Sequence, residues 1–561
     1  MPTTPGPGKD DRRAAVEALA DGAPFDVLVI GGGITGAGVA RDAALRGMRV
    51  ALVEQDDFAS GTSSRSSRLV HGGVRYLEHG ELGLVFESSR ERRILLRIAP
   101  HLVRPLAFTW PVYAGARVAR WQLAAALTMY DVLALFRNVE RHERLGVRGV
   151  LLHEPLVRRE ALRGGARYFD AATDDARLTL ATALSARDAG AVLVTHARVE
   201  SLLRDGDRVT GARVRDLLDG AMIDVRAKVV VNATGPWSDR VERLVGQLAP
   251  GVRGSKGVHI SLPRSRVGNR EALTVLAPQD GRVMFVLPAG DFTIVGTTDS
   301  YESVAPEEVR ATEADVQYLL DAANHFFPDA RLARHDVVAA WAGLRPLAAR
   351  ANGHDAVAST DASAASREHA IVERVPGLVS VTGGKLTTYR AMAQQVVDVV
   401  LETLGLARRP AATAQQFLPG GADLDIEVEI AAATQVVADA AVARRLVHAH
   451  GTMWRDVWRL AAREASLAER VEADRPYVLA ELRHAVEQEM ALTLGDLLIR
   501  RVPVAFETRD NGRAAARRLA PLAATWLGWD DARTARMIGD YDAEASRIFG
   551  VDAVAAATLP E

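Results

Sequence analysis

The stretch FDVLVIGGGITGAGVARDAALRGMRVALVEQDD, Phe25 to Asp57, leaves a folding chain few options. Apolar Val27 to Ile30 predict a buried strand, and Gly31, Gly33 and Gly36 make a G-x-G-x-x-G turn after it. Gly36, Ala40, Ala43 and Gly47 would give the following helix a small-residue face for close packing on a sheet. A second apolar run, Val50 to Val53, then delivers Glu54. Strand, glycine turn, helix, strand and terminal acid in this order predict an α/β, Rossmann-like unit that holds a dinucleotide. The pyrophosphate would sit on the helix N-terminus, where free backbone N–H groups and the helix dipole attract anions, with Glu54 on a ribose hydroxyl.

The later chain bears on which dinucleotide it is. Asp174 to Ala189 predicts a helix, and AVLVTHARVESLLRDGDRVTGARVRDLLDGAMIDVRAKVVVNATGPWSD alternates short β runs with turns at Asp205-Gly206 and Asp219-Gly220. This β-meander closes on a strand, Val229 to Asn232, and a second glycine approach at Gly235. No second G-x-G-x-x-G follows, so a nicotinamide domain is not expected and electrons would come straight from substrate. The chain has no cysteine, which excludes disulfides, thiolate metal sites, Fe–S clusters and cysteinyl cofactor links; redox chemistry must come from a bound cofactor.

Lysine usage singles out another segment. The chain has 69 basic residues, of which only Lys9, Lys228, Lys256 and Lys385 are lysines. Lys385 lies in GGKLTTYR, where VSVTGGKLTTYRAMAQQVVDVV predicts a strand, a glycine turn and a helix with Leu386, Tyr389, Ala393, Val396 and Val400 on one face. Lysine is a compact point charge and arginine a planar fork, so a lysine kept here suits a localised charge beside a ring or substrate oxygen. Lys256, in GSKGVHISL, is a second candidate. GTSSRSS, with Thr62, Ser63 and Ser64, combines glycine with short hydroxyls suited to a loop beside a cofactor, and HGGVRY offers His71, Arg75 and Tyr76.

NATG at the end of the meander resembles FAD-containing oxidoreductases of the amino-acid-oxidase-like superfamily. ASGTSSRSSRLVHGGVRYLEHGELGLVFESSRERRILLRIAPHLVRPLAF resembles, more narrowly, the aerobic FAD-linked glycerol-3-phosphate dehydrogenases. VGTTD, AGLRPL, SREH, GGKLTTYR and TLGDLLIRR match that family in order, over about residues 22 to 510. The resemblance implies bound FAD and oxidation of sn-glycerol 3-phosphate to dihydroxyacetone phosphate, the C2 hydride passing to flavin N5. Cofactor contacts are then expected from Gly31, Gly33, Gly36 and Glu54, from Thr62, Ser63 and Ser64, from Val199, Ala233 and Gly235, and from Gly384, Leu386 and Thr387. A phosphate dianion needs fixed cations, and bidentate arginine suits its oxygens. By resemblance Arg345 and Arg367 supply them, with Arg75 and Tyr76 nearby and Lys385 beside the developing alkoxide. His71 is the natural general base by pKa, with contact to the flavin as its other reading. No metal is expected.

These readings imply an α/β protein whose FAD-binding domain comprises 22–77, 150–250 and 377–403 and carries an inserted β-rich substrate domain, 78–149 and 251–376. A flexible N-terminal segment, 1–21, a linker, 404–421, and an all-α C-terminal domain, 422–561, complete it. WQLAAALTMYDVLALF, Trp121 to Phe136, is flanked by Arg117, Arg120 and Arg137, and between Val85 and Arg148 stand 11 arginines against five acids. Such a segment suits either a buried helix or an anionic membrane surface that admits quinone; the resemblance favours a peripheral membrane enzyme with a membrane quinone as acceptor. The start, MPTTPGPGKDDRR, lacks the apolar core of a signal peptide, so a cytoplasmic location is expected, peripheral on the inner face of the cell membrane. A homodimer is among the expected assemblies, and a net charge of −2 argues against nucleic acid. Two rival readings stay open: an oxidase that hands electrons to oxygen with release of hydrogen peroxide, and a non-catalytic flavin-binding module.

Overall fold

Phe25–Ile30 has the sequence of a strand covered on both faces, and in the computed structural model it lies inside an eight-stranded sheet. The structure describes residues 9–74, 81–135, 138–246, 251–301, 304–348 and 369–553. Phe25–Ile30 pairs in parallel with Val50–Val53 on one side and Met222–Asn232 on the other. Val192–Val194 and Leu378–Gly383 extend the parallel run at either end, and His369–Val375 closes it antiparallel. Helices Ile34–Leu45, Asp175–Asp188 and Tyr389–Thr403 cover one face through alanines, valines and leucines that are almost all inaccessible to water. The meander Ala197–Asp205, Arg208–Asp216 and Met222–Asn232 covers the other, joined by helix Lys9–Ala20. The predicted N-terminal flexibility therefore needs correction from Lys9 onward: Leu19 is buried and Arg12 forms an ion pair with Asp216.

A second, ten-stranded sheet supplies the β-rich part. Its centre is formed by Val103–Tyr113 against Leu162–Thr173, and by Val252–Pro263 between Phe292–Gly296 and Ala339–Ala348. The sheets divide the chain differently from the expected boundaries. Leu162–Thr173 and Leu69–Val70 belong to the second sheet, whereas His369–Val375 belongs to the first. The long strand Leu162–Thr173 is what carries the chain from one sheet back to the other.

Helices from Ile426–Val437 to Asp531–Phe549 form the C-terminal part, and they share a core with the second sheet in which Trp341 packs edge-on against Phe506. The expected linker is a packed strap: Leu418 is buried with its N–H on the Ile98 carbonyl, and Arg41 donates to the Gln416 carbonyl. TLGDLLIRR forms the join between the C-terminal helices and the dinucleotide layer. Asp57, fully buried three residues beyond Glu54, accepts from Arg500 at 2.7 Å and from Arg501 at 2.6 and 3.0 Å.

Candidate functional site

The carboxyl ends of the first sheet open into a cavity of about 440 Å³. Its floor is backbone. Gly31 has φ +110°, and a Cβ there would meet the Ala233 carbonyl oxygen at 2.8 Å; one on Gly36 would overlap the Gly31 carbonyl oxygen. Gly36 thus shapes the turn from beneath without lining the cavity. Gly47 belongs to a different task than the expected packing face: it lies past the helix end with φ +76°, a left-handed position that stops the helix. Gly33 caps helix Ile34–Leu45 without any side-chain capping bond, and the Ile34 N–H meets Ser63 Oγ at 3.0 Å. This helix N-terminus faces the cavity and favours an anion.

Glu54 stands at the end of Val50–Val53. Its Oε2 accepts the Gly32 N–H at 2.5 Å and its Oε1 the Asp56 N–H at 2.9 Å. Burial pushes its pKa up to about 7, against the pull of those two N–H groups. Thr62, Ser63, Val199, Ala233, Gly235, Gly384 and Leu386 line the same space, and so does Lys385. Ser64 and Thr387 are buried outside it; Thr387 Oγ1 accepts the His71 N–H at 3.1 Å. The glycine turn before Lys385 is left-handed at both Gly383, φ +77°, and Gly384, φ +86°. Lys385 follows in extended conformation with its Nζ shielded from water.

Through Thr387, the turn that carries Lys385 touches the loop that carries His71. His71 also lines a small cavity beside Phe108, Trp110, Tyr168 and Asp170. Arg345 lies on Ala339–Ala348 between Leu344, whose carbonyl accepts Thr62 Oγ1 at 2.7 Å, and Pro346, which lines the large cavity. Its guanidinium donates to Thr297 Oγ1 at 2.9 Å, Ser255 Oγ at 3.2 Å and Asp299 Oδ1 at 3.3 Å. Lys256, the second candidate lysine, pairs with Asp315 at 3.1 Å. Arg75, Tyr76 and Arg367 lie outside the described residues.

Several lining groups escaped the sequence reading. Trp237 edges the cavity, packs over Gly61 and donates from Nε1 to Glu307 at 3.0 Å; its position just after NATGP was the available signal. Arg198 and Arg240 line the same space, but nothing in their local sequence sets them apart. His259 was missed as well. It stacks on Trp341 at 5.6 Å, meets Ser67 Oγ at 2.9 Å and has its pKa lowered to about 3 by burial and by Arg345, so it is a neutral imidazole near neutral pH.

Cavity size, glycine floor, uncapped helix N-terminus and strand-end acid fit FAD, and together with the sheet order they define a flavoprotein oxidoreductase. The family described as "FAD dependent oxidoreductase" matches residues 26–398, and that described as "C-terminal domain of alpha-glycerophosphate oxidase" matches residues 411–534. A glycerol-3-phosphate dehydrogenase of Mycobacterium leprae is 41% identical over 545 residues, 96% of this chain and 90% of that protein. The mitochondrial glycerol-3-phosphate dehydrogenase of Homo sapiens is 37% identical over 93% of this chain and 73% of its own length. The crystal structure of the glycerol-3-phosphate dehydrogenase from Bacillus halodurans, complexed with FAD, superposes with a TM-score of 0.80 at 33% identity, covering 96% of this chain and 98% of that one. The chain belongs to the FAD-dependent glycerol-3-phosphate dehydrogenase family.

Proposed function

We propose that the protein oxidises sn-glycerol 3-phosphate to dihydroxyacetone phosphate at the junction of the Lys385 turn and the His71 loop, and that the electrons leave to a membrane quinone. The observation that carries the assignment of the site is the Thr387 bridge, because it holds His71 beside the turn whose Gly384, Lys385 and Leu386 line the FAD cavity. Bound FAD supplies the acceptor for the C2 hydride. The chain's own residues bind, orient and deprotonate. Arg345, with Arg75, Tyr76 and Arg367, holds the phosphate, so that binding energy remote from C2 aligns the reacting carbon. Asp299 and Thr297 fix the Arg345 fork in advance of substrate. Lys385 stabilises negative charge on the C2 oxygen as its proton leaves to His71.

The outer surface supports the acceptor. Helix Arg120–Leu133 exposes Trp121 to 73%, along with Met129 and Val132; Leu135, Val139, Leu82 and Phe86 are exposed too. An apolar edge next to Arg117 and Arg120 suits insertion among anionic lipid headgroups. No helix among the described residues is long and apolar enough to cross a membrane.

Anaerobic titration of the FAD-loaded protein with sn-glycerol 3-phosphate, with glycerol as the control, tests the reading. The expected result is bleaching by the phosphate ester alone, followed by reoxidation that is faster with a quinone analogue than with oxygen. Bleaching by neither compound with FAD retained would remove the substrate assignment; rapid reoxidation by oxygen with hydrogen peroxide release would replace the quinone by oxygen.

A further inference from the structure

Both peptide groups that flank His71 are pinned. Thr387 Oγ1 accepts the His71 N–H at 3.1 Å and donates to the His71 carbonyl at 3.3 Å. The N–H of the next residue, Gly72, is taken from another part of the chain, by Asp170 Oδ1 at 2.9 Å. Strand pairing explains this second contact. Leu69–Val70 runs antiparallel to Leu162–Thr173 with Leu69 opposite Ala172 and Val70 opposite Ala171, which brings Asp170 beside the loop that opens at His71. Asp170 and His71 also share the wall of the small cavity.

Asp170 is itself held from behind. It is buried, and its Oδ1 also accepts from Tyr130 Oη at 2.6 Å and from Arg92 Nη1. Arg92 Nη1 donates to Tyr130 Oη at 2.6 Å as well, closing a triangle of buried side chains from helices Leu82–Ile98 and Arg120–Leu133 and strand Leu162–Thr173. The other end of Arg92 is fixed by Asn138, and Asn138 donates to Asp131 at 2.6 Å. Gly72 leaves the loop no slack: a Cβ there would overlap the Tyr130 hydroxyl and come within 2.7 Å of Ser89 Oγ. Tyr168, two residues before Asp170 on the same strand, meets Thr274 Oγ1 at 2.8 Å and so leaves Asp170 to the triangle.

Such a cluster is poor material for stability alone. Taking a carboxylate and a guanidinium out of water is costly, and apolar side chains of like volume often serve stability equally well. The surroundings would suit them, since Phe108, Trp110 and Tyr168 pack there. What an apolar residue at position 170 cannot do is accept the Gly72 N–H, a buried donor that needs a partner. The triangle therefore contributes direction to one particular peptide, the one that follows His71.

We propose that Asp170, oriented by Tyr130 and Arg92, is a positioning residue for the oxidation: by holding the peptide after His71 it sets the direction from which the imidazole takes the C2 hydroxyl proton. This role rests on His71 acting as the base, as proposed above. The test is anaerobic stopped-flow reduction by sn-glycerol 3-phosphate of FAD-loaded Tyr130→Phe, His71→Asn and the double variant, with flavin absorbance and melting temperature as checks on folding. Tyr130→Phe should lower the limiting rate of bleaching about tenfold at an unchanged half-saturating substrate concentration, because the phosphate is held by other residues. In the His71→Asn background the same substitution should change the rate by less than about twofold, because it acts through His71. An unmodified rate in Tyr130→Phe, a change confined to substrate saturation, or a rate loss that recurs in full without His71 overturns the proposal and leaves the base assignment standing. An unmodified rate in His71→Asn removes the base assignment and the proposal with it. Asp170→Asn and Asp170→Ala give a second reading. Asparagine can still accept the Gly72 N–H, so its limiting rate should exceed that of the alanine variant; equal rates overturn the proposal.

Discussion

The cofactor side and the substrate side of this site are built from different materials. The FAD cavity is shaped largely by backbone: left-handed glycines, a helix N-terminus capped by glycine and one strand-end acid, all drawn from short contiguous stretches. The substrate side, as proposed, relies on side chains, His71, Arg345 and Lys385, brought from three distant parts of the chain; Thr387 holds the His71 backbone, and Thr297 and Asp299 hold the Arg345 guanidinium. A backbone site tolerates no added atoms, whereas a side-chain site can lose a charge and keep its shape. Substitutions should separate the two.

The largest effect is expected at Gly36. In Gly36→Val the side chain would overlap the Gly31 carbonyl, and the purified protein should retain no flavin absorbance. Flavin content near that of the unmodified protein would mean that the turn is not the anchor. Asp57→Asn comes next, because it removes the charge that Arg500 and Arg501 share inside the molecule. Breaking a buried pair costs about 3–5 kcal/mol, here moderated by Asp496 and Glu544 on Arg500. Chemical denaturation should therefore show a C-terminal part that uncouples from the dinucleotide layer at lower denaturant; an unchanged midpoint would show that the join rests on apolar packing alone.

A smaller effect comes from Glu54. With its pKa at about 7 in the FAD-free protein, it is largely protonated below that pH and loses acceptor strength for a ribose hydroxyl. FAD affinity should rise with pH through about 7 and then level off, with the dependence absent in Glu54→Gln. The stability of the FAD-free protein should move oppositely. A carboxyl whose pKa is raised on folding binds more protons folded than unfolded, so its contribution is present at low pH and declines as pH rises from about 4.5 to about 7. The smallest effect is at the surface: Trp121→Glu should weaken sedimentation with anionic vesicles several-fold, leaving flavin content and turnover with a soluble acceptor unchanged.

The same contrast accounts for what could be read in advance. Gly31, Gly33 and Glu54 stand in a fixed local order that reports a backbone shape, and the structure places all three on the cavity. Thr387 and Ser64 lie in recognisable motifs, yet which way each side chain points depends on the His71 loop and on burial. Trp237 was marked only by its place just after NATGP, whereas Arg198 and His259 take their positions from strands far apart in the chain, so no local pattern marks them. The N-terminal helix from Lys9 and the 404–421 strap read as loose because their compositions are polar or rich in glycine and proline. Their order comes from Asp216, Ile98 and Arg41, which lie far away in sequence.

Lys385 sits where the two materials meet, since it lines the FAD cavity while its side chain is assigned to the substrate. Stopped-flow reduction of FAD-loaded Lys385→Ala by sn-glycerol 3-phosphate under anaerobic conditions tests the account most directly. The account predicts full flavin occupancy and bleaching slowed by about 10²–10³-fold, the size of effect expected when one group that stabilises developing negative charge is removed. Bleaching at the unmodified rate, or loss of FAD from the variant, would contradict it.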